Sequence, residues 1–238
     1  MSLFRFVPDH WKEYLRRRAG AITMSARLEN LRAAHFAPRQ IIDAGAFHGD
    51  WARLAHQIFP TAHLLLLEPQ PALAGPLAAL CTRLPAAKFR PCLLGRAEGE
   101  AAFLLQASNS RVVQADHVAG PGETVLRVPV STLERVAREE AFEDCDLLKL
   151  DLQGHELEAL AGAGPLFGRA EVVLCEVSWL RLGSVPLAHE VVATFGAHGY
   201  RLYDVMGFNY RPLDRALWQT DFIFVRETSP LLASRAWA

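Results

Sequence analysis

Two stretches of this chain gather residue types that can do chemistry. The first is Ile41-Ile42-Asp43-Ala44-Gly45-Ala46-Phe47-His48-Gly49-Asp50. An apolar run delivers an acid, Asp43, into a glycine turn, and a helix follows. Gly45 permits a tight turn and close approach of a ligand to the backbone. Gly49 opens the helix start to a charged ligand end, and His48 lies inside the turn. The second stretch is Asp146-Leu147-Leu148-Lys149-Leu150-Asp151-Leu152-Gln153-Gly154-His155-Glu156. Lys149 and Asp151 lie two apart, so they share one face at the end of an apolar strand. Buried charges without partners are costly. They therefore have a task, or they pair with each other, or Lys149 pairs with Glu176 on an adjacent strand. Asp151 stands at the carboxyl end of its strand, where open α/β sheets place ligands. Glu156 falls in a first helical turn, where negative charge is favourable in any case. Between the two stretches, Glu68 ends a further strand 25 residues after Asp43. A carboxylate there can accept hydrogen bonds from both hydroxyls of a ribose.

Those residues need elements to hold them. Short apolar runs alternate with helical stretches from Ile41 onward. Strands are expected at 41–44, 63–67, 89–94, 147–150, 172–177, 200–204 and 222–225, with helices at 50–59, 73–83, 155–160 and 191–195. Continuous apolar strands joined by helices imply a parallel sheet covered on both faces. The middle is less regular: strands at 101–105 and 124–130, turns around 107–111 and 120–122, and a helix from Ser131 or Thr132 to Glu140. The expectation is one doubly wound sheet of about seven strands, with an antiparallel strand in the last pair, as large mixed sheets commonly carry at an edge. Residues 1–38 differ and read as two helices leading to Pro38, giving a helical accessory segment at 1–38 and a main domain at 39–238. That first segment carries a charge of +4 and the rest −5, so it is a solvated basic cap, a lid, or a subunit contact through which the chain forms a homo-oligomer.

The ligand's polarity follows from the first turn. GxGxxG is missing, and Asp43 would repel a pyrophosphate. A zwitterionic, cationic cofactor such as S-adenosylmethionine suits the site better. The two stretches together resemble the FkbM family of S-adenosylmethionine-dependent methyltransferases. The resemblance is carried by Asp43-Ala44-Gly45 with Gly49, by Leu67-Glu68-Pro69, and above all by the Lys149-to-Glu156 block. Ser131-Thr132-Leu133-Glu134 and the strand around Glu176 also match. The resemblance spans about residues 40–226. It implies a class I methyltransferase fold (Rossmann-like, α/β, seven strands mostly parallel) and transfer to an oxygen of a small-molecule or sugar-containing acceptor. By position, Asp43, Gly45 and Gly49 would border the methionine part of the cofactor, Glu68 would take the ribose, and Asp151 would lie near the methyl group; His48, inside the same turn, would touch the cofactor or instead line the acceptor pocket. Ser110 resembles a serine-containing family stretch more loosely.

Methyl transfer is an in-line displacement in which the protein mainly orients the reactants. An alcohol acceptor benefits from a base. His155, four residues after Asp151, is a candidate, with Asp151 or Glu176 as its orienter; Asp151 can also act alone. Asp151 could instead ligate a divalent ion, though no compact carboxylate cluster demands a metal. Trp179, Arg181, His189, Phe208, Asn209 and Tyr210 are candidates for the acceptor side. Each of these residues also has a plainer account: an ordinary βα turn, a strand-end acid, a structural ion pair, a capping histidine or a packed aromatic.

Composition narrows the alternatives. The chain has 238 residues, 51% hydrophobic and 21% charged, with a net charge of −1. That excludes a disordered chain or a disulfide scaffold and leaves no global attraction to nucleic acid. Cys81, Cys92, Cys145 and Cys175 form no CxxC pair and read as reduced thiols. No signal-like start or membrane-length apolar run is visible, so a cytoplasmic protein is expected. Two readings compete with the O-methyltransferase: a nicotinamide-dependent Rossmann enzyme, and a methyltransferase-like module that binds or assembles without chemistry.

Overall fold

The computed structural model describes residues 23–181 and 185–234. Its central strands form where apolar residues run without interruption, and the runs 41–44, 64–67, 147–150 and 172–175 are buried on both faces. In chain order the first elements are α1 (Met24–Ala33), β1 (Gln40–Ala44), α2 (Asp50–Ile58), β2 (His63–Leu67), α3 (Pro71–Cys81) and β3 (Ala87–Arg90). A middle segment follows: β4 (Leu93–Leu94), β5 (Gly99–Leu105), β6 (Arg111–Val113) and β7 (Thr124–Ser131). The chain then returns with α4 (Leu133–Glu140), β8 (Leu147–Leu150), α5 (Glu156–Ala161), β9 (Val172–Ser178), α6 (Ala188–Ala197), β10 (Tyr200–Tyr210) and β11 (Leu217–Arg226).

The main sheet has seven strands in the order β10-β11-β9-β8-β1-β2-β3. Pairs from β3 through β9 are parallel. Strand periodicity assigns the two faces. Ile41, Leu64, Leu66, Leu147 and Leu174 pack under α1, α2 and α3. Ile42, Leu65, Leu148, Leu150 and Val173 pack under α4, α5 and α6. Helix α1 belongs to the first layer: Leu28 and Leu31 are buried, and Arg27 Nε lies 3.2 Å from Asp204. The other helix expected in the N-terminal segment lies outside the described residues. No helix among the described residues is long and apolar enough to cross a membrane.

Three expectations need correction. Residues 89–94 are not one strand. Pro91 has no N–H to donate to a ladder, and the chain leaves the main sheet there. Leu93 and Leu94 pair instead with β7 in a second, four-stranded sheet of order β4-β7-β5-β6. The strands around 101–105 and 124–130 belong to that sheet, pairing antiparallel with each other. Finally, the last pair does include an antiparallel strand, as expected, but not as the edge strand itself. β11 lies between β9 and β10 and is antiparallel to both, which leaves β10 as the edge strand. β10 and β11 are also longer than the apolar runs that announced them, and they extend as a hairpin past the end of β9.

Candidate active site

The parallel strands all end on one side, and the residues just beyond those ends build a cavity of about 470 Å³. Its wall includes Gly45 after β1, Glu68 to Gln70 after β2, Leu93 and Leu94 of β4, Asp151 to Gln153 after β8, Glu176 of β9, and Asn209, Tyr210, Trp218 and Gln219 from the β10–β11 hairpin. Three interstrand gaps separate β2 from β9 in the sheet order, so Glu68 and Glu176 stand about 14 Å apart across it.

Beneath the cavity lies an ion pair. Asp43 and Lys149 are directly opposite in the β1–β8 register. Lys149 Nζ donates to Asp43 Oδ1 at 2.9 Å and to the Gly45 carbonyl at 3.0 Å, and lies 3.6 Å from Asp151 Oδ2. The Trp51 ring of α2 covers it, 5.7 Å from the ammonium. Asp43 is 0% exposed and Lys149 6%. Burial opposes the charge on Lys149, but Asp43 and Asp151 outweigh it and hold the ammonium's pKa above its ordinary value. Asp43 is thus the partner of Lys149, ahead of either Asp151 or Glu176, and it does not reach the cavity wall.

The two glycines of the first turn serve packing. At Gly45, φ is +80°, and a Cβ would clash with the Asp151 backbone carbonyl, so a side chain there would force the β1 and β8 loops apart. At Gly49, φ is +75°, and a Cβ would run into Leu80 and Leu77 of α3. Gly45 lines the cavity and Gly49 does not. His48 is exposed, is absent from the wall and packs on Phe47 with ring centroids 4.0 Å apart.

Glu68 is 4% exposed. Its Oε2 accepts from Phe47 N at 2.9 Å and its Oε1 from Gln70 N at 3.0 Å. Burial raises its pKa, and those backbone N–H groups oppose the rise. Each carboxylate oxygen keeps a second lone pair. Ser110 lines the cavity, but its hydroxyl donates to Ala107 O at 2.7 Å and accepts from Gln106 N at 2.8 Å. It therefore locks the 107–109 turn.

At the other end a second acidic group gathers. Gln153 Nε2 donates to Asp151 Oδ1 at 3.0 Å and to Glu176 Oε2 at 3.1 Å. Gln219 Nε2 donates to the same Glu176 oxygen at 2.9 Å. Glu156 instead turns back on its own loop: its Oε1 accepts from Leu152 N at 2.8 Å and Gly154 N at 3.1 Å, and burial raises it to about 7. His155 lines the cavity with its ring near Gly95. Among the described residues that ring is hydrogen-bonded to neither Asp151 nor Glu176. Burial lowers its pKa, against the opposing pull of Glu158.

Of the residues expected from sequence, Gly45, Glu68, Ser110, Asp151 and His155 meet in the cavity, with Asn209 and Tyr210 from the acceptor-side candidates. Trp179 does not: its Nε1 bonds to Thr220 at 2.8 Å. Arg181 pairs with Glu190. Sequence reasoning assigned no role to Gln153 or Gln219. Gln153 sits inside the second block and adopts φ +54°, but a glutamine between an acid and a glycine carries no chemical signal. Gln219 lies on a strand far along the chain, and only the fold brings it near.

A family model described as the methyltransferase FkbM domain matches residues 43–202. The chain belongs to the FkbM methyltransferase family. The matched region is a methyltransferase domain on a mixed, mostly parallel seven-stranded sheet, which argues against the nicotinamide-dependent reading. Among solved structures, the methyltransferase FkbM from Methylobacillus flagellatus is 14% identical, with a TM-score of 0.49 over 77% of this chain and 43% of that one. The present chain therefore spans less than half of that relative. Fibrillarin from Aeropyrum pernix, in complex with natively bound S-adenosyl-L-methionine, is 14% identical, with a TM-score of 0.49 over 79% of this chain and 67% of that one. An O-methyltransferase family protein from Burkholderia thailandensis is 12% identical, with a TM-score of 0.47 over 85% and 55%. No curated protein matches the chain.

Proposed function

We propose that this FkbM methyltransferase transfers a methyl group to a hydroxyl oxygen of a small-molecule or sugar-containing acceptor. The observation that carries the reading is the single cavity with Glu68 at one end and the Asp151–Gln153–Glu176 chain at the other. The residues present suit S-adenosylmethionine. Glu68 is held in place by two backbone N–H groups and keeps lone pairs for ribose hydroxyls. Leu93, Leu94 and Phe103 offer an apolar wall to a purine. The Gly45 turn borders the methionine part.

Bound there, S-adenosylmethionine supplies an activated methyl group whose C–S bonding pair stays with sulfur. The chain's own task is to hold the acceptor oxygen in line and take its proton. Asp151 is placed for the second role: its side chain is 36% exposed, lines the cavity, and is oriented from one side by Gln153 and from the other by Lys149. Lys149 also fixes the Gly45 carbonyl, so one ammonium sets the spacing of both loops. Asp43 acts through Lys149.

Calorimetric titration with S-adenosylhomocysteine tests the cofactor assignment. Wild-type protein is expected to bind it. Glu68→Gln sets an amide NH₂ against backbone donors and is expected to weaken binding by about tenfold or more. A folded wild type that does not bind, or an unchanged affinity in the variant, refutes the assignment.

A further inference from the structure

Glu176 is an acid of this cavity wall with no chemical step assigned to it so far. It lies on β9 with Asp221 of β11 directly opposite in register. Its Oε2 already accepts two amide hydrogens, from Gln153 and Gln219. Its Oε1 accepts none from any described residue, and the side chain forms part of the cavity wall. The charged groups facing it are Asp151 at the end of β8, Glu156 of α5 and Asp221 of β11, set against Lys149 of β8. Burial first, and those three acids next, push the Glu176 carboxyl up to about 10. A neutral carboxyl carries one proton, and an oxygen receiving two N–H bonds is the wrong place for it. The proton therefore belongs on Oε1.

We infer that Glu176 is a further catalytic residue, whose Oε1–H donates into the cavity to a lone pair of the acceptor oxygen while Asp151 accepts that oxygen's proton. Gln153 ties the two carboxyl groups together, so donor and base are held at a fixed spacing. Glu176 keeps its own proton throughout. The proton that leaves the hydroxyl goes to Asp151 as the new C–O bond forms. The pair also selects its substrate. A hydroxyl offers both a lone pair and a proton, whereas a protonated amine has no lone pair for the Oε1–H. The inference rests on the O-methyltransferase reading above and deepens it to un-ionised alcohols.

The test reads the proton first. In protein carrying ¹³C-labelled glutamate side chains, the Glu176 carboxyl signal is assigned by its loss in Glu176→Gln. It is expected to stay in its protonated position through neutral pH; an ionised Glu176 at neutral pH overturns the inference. The second readout is transfer to a pool of monosaccharides and phenols, measured as S-adenosylhomocysteine release. Glu176→Gln keeps an oxygen for both amides and an N–H for the cavity, so kcat is expected to fall only about tenfold. Glu176→Ala keeps neither and is expected to fall about a hundredfold further. S-adenosylhomocysteine affinity should stay within about twofold in both. Equal losses in the two variants would make Glu176 a base and overturn the inference. A wild type that binds S-adenosylhomocysteine but methylates nothing in the pool counts against the O-methyltransferase reading, while the carboxyl signal still decides the state of Glu176.

Discussion

Replacing Lys149 by Met removes the cation from beneath the site while keeping much of the side chain's bulk. Asp43 is then left 0% exposed and opposite a thioether. Breaking a buried pair from one side typically costs about 3–5 kcal/mol. Asp43 has one escape, which is to bind a proton. From its ordinary value of 3.8, that escape costs about 1.4 kcal/mol for each pH unit above it. The loss is therefore capped near 4 kcal/mol at pH 7 and near 2 kcal/mol at pH 5.5, both order-of-magnitude figures. The sign is fixed. In the variant the folded Asp43 holds a proton that the unfolded chain has released above pH 3.8, so stability falls as pH rises. Urea unfolding followed by circular dichroism across this pH range measures it. Adding Asp43→Asn removes the orphan charge and should recover most of the loss, flattening its pH dependence. A loss under about 1 kcal/mol at pH 7, or a loss equal at every pH, would refute the argument that this pair anchors the two loops.

Two further outcomes follow from groups around the same cavity. Burial and Asp151 raise the Asp221 carboxyl to about 7, against the pull of Lys149, so the folded chain keeps a proton that the unfolded chain loses as pH climbs from about 4. Asp221→Asn should thus stabilise the protein by on the order of 2–4 kcal/mol at pH 8 and by almost nothing at pH 4, read as a pH-dependent rise in Tm; a gain of the opposite pH trend would contradict it. Gly45→Ala and Gly49→Ala should separate: the first meets a backbone carbonyl that cannot yield and should abolish S-adenosylhomocysteine binding, while the second meets leucine side chains and should cost about 1–3 kcal/mol in urea unfolding with affinity kept. Equal effects on binding would mean that the β1–β8 contact does not shape the site.

The central strands and the helices between them were legible because β1, β2, β8 and β9 are short apolar runs and each helix has its own punctuation. Asp43, Glu68 and Asp151 stood out because acids at the ends of apolar strands are costly without a task or a partner. What stayed hidden was pairing. A strand's own residues do not say which sheet it joins, so the departure at Pro91 and the second sheet went unread. Nor do they say which acid a lysine chooses: Asp43 and Lys149 are 106 residues apart, and only the β1–β8 register makes them neighbours. His155 was attractive for its residue type and its distance along the chain from Asp151. The turn through Gln153 sends its ring towards Gly95 instead.

The family match ends at residue 202, inside β10, yet Asn209, Tyr210, Trp218 and Gln219 all come from beyond it. The wall of the cavity farthest from Glu68 is thus carried on a hairpin that holds none of the Asp43, Glu68, Lys149 or Asp151 machinery. On the proposed function, exchange of this one hairpin would change acceptor choice while leaving Glu68 and Asp151 in place, with Gln219 the one residue of the hairpin that bonds to Glu176. Within the hairpin as it stands, position 207 favours glycine, since φ there is +65° and a Cβ would meet the Asp221 carboxyl.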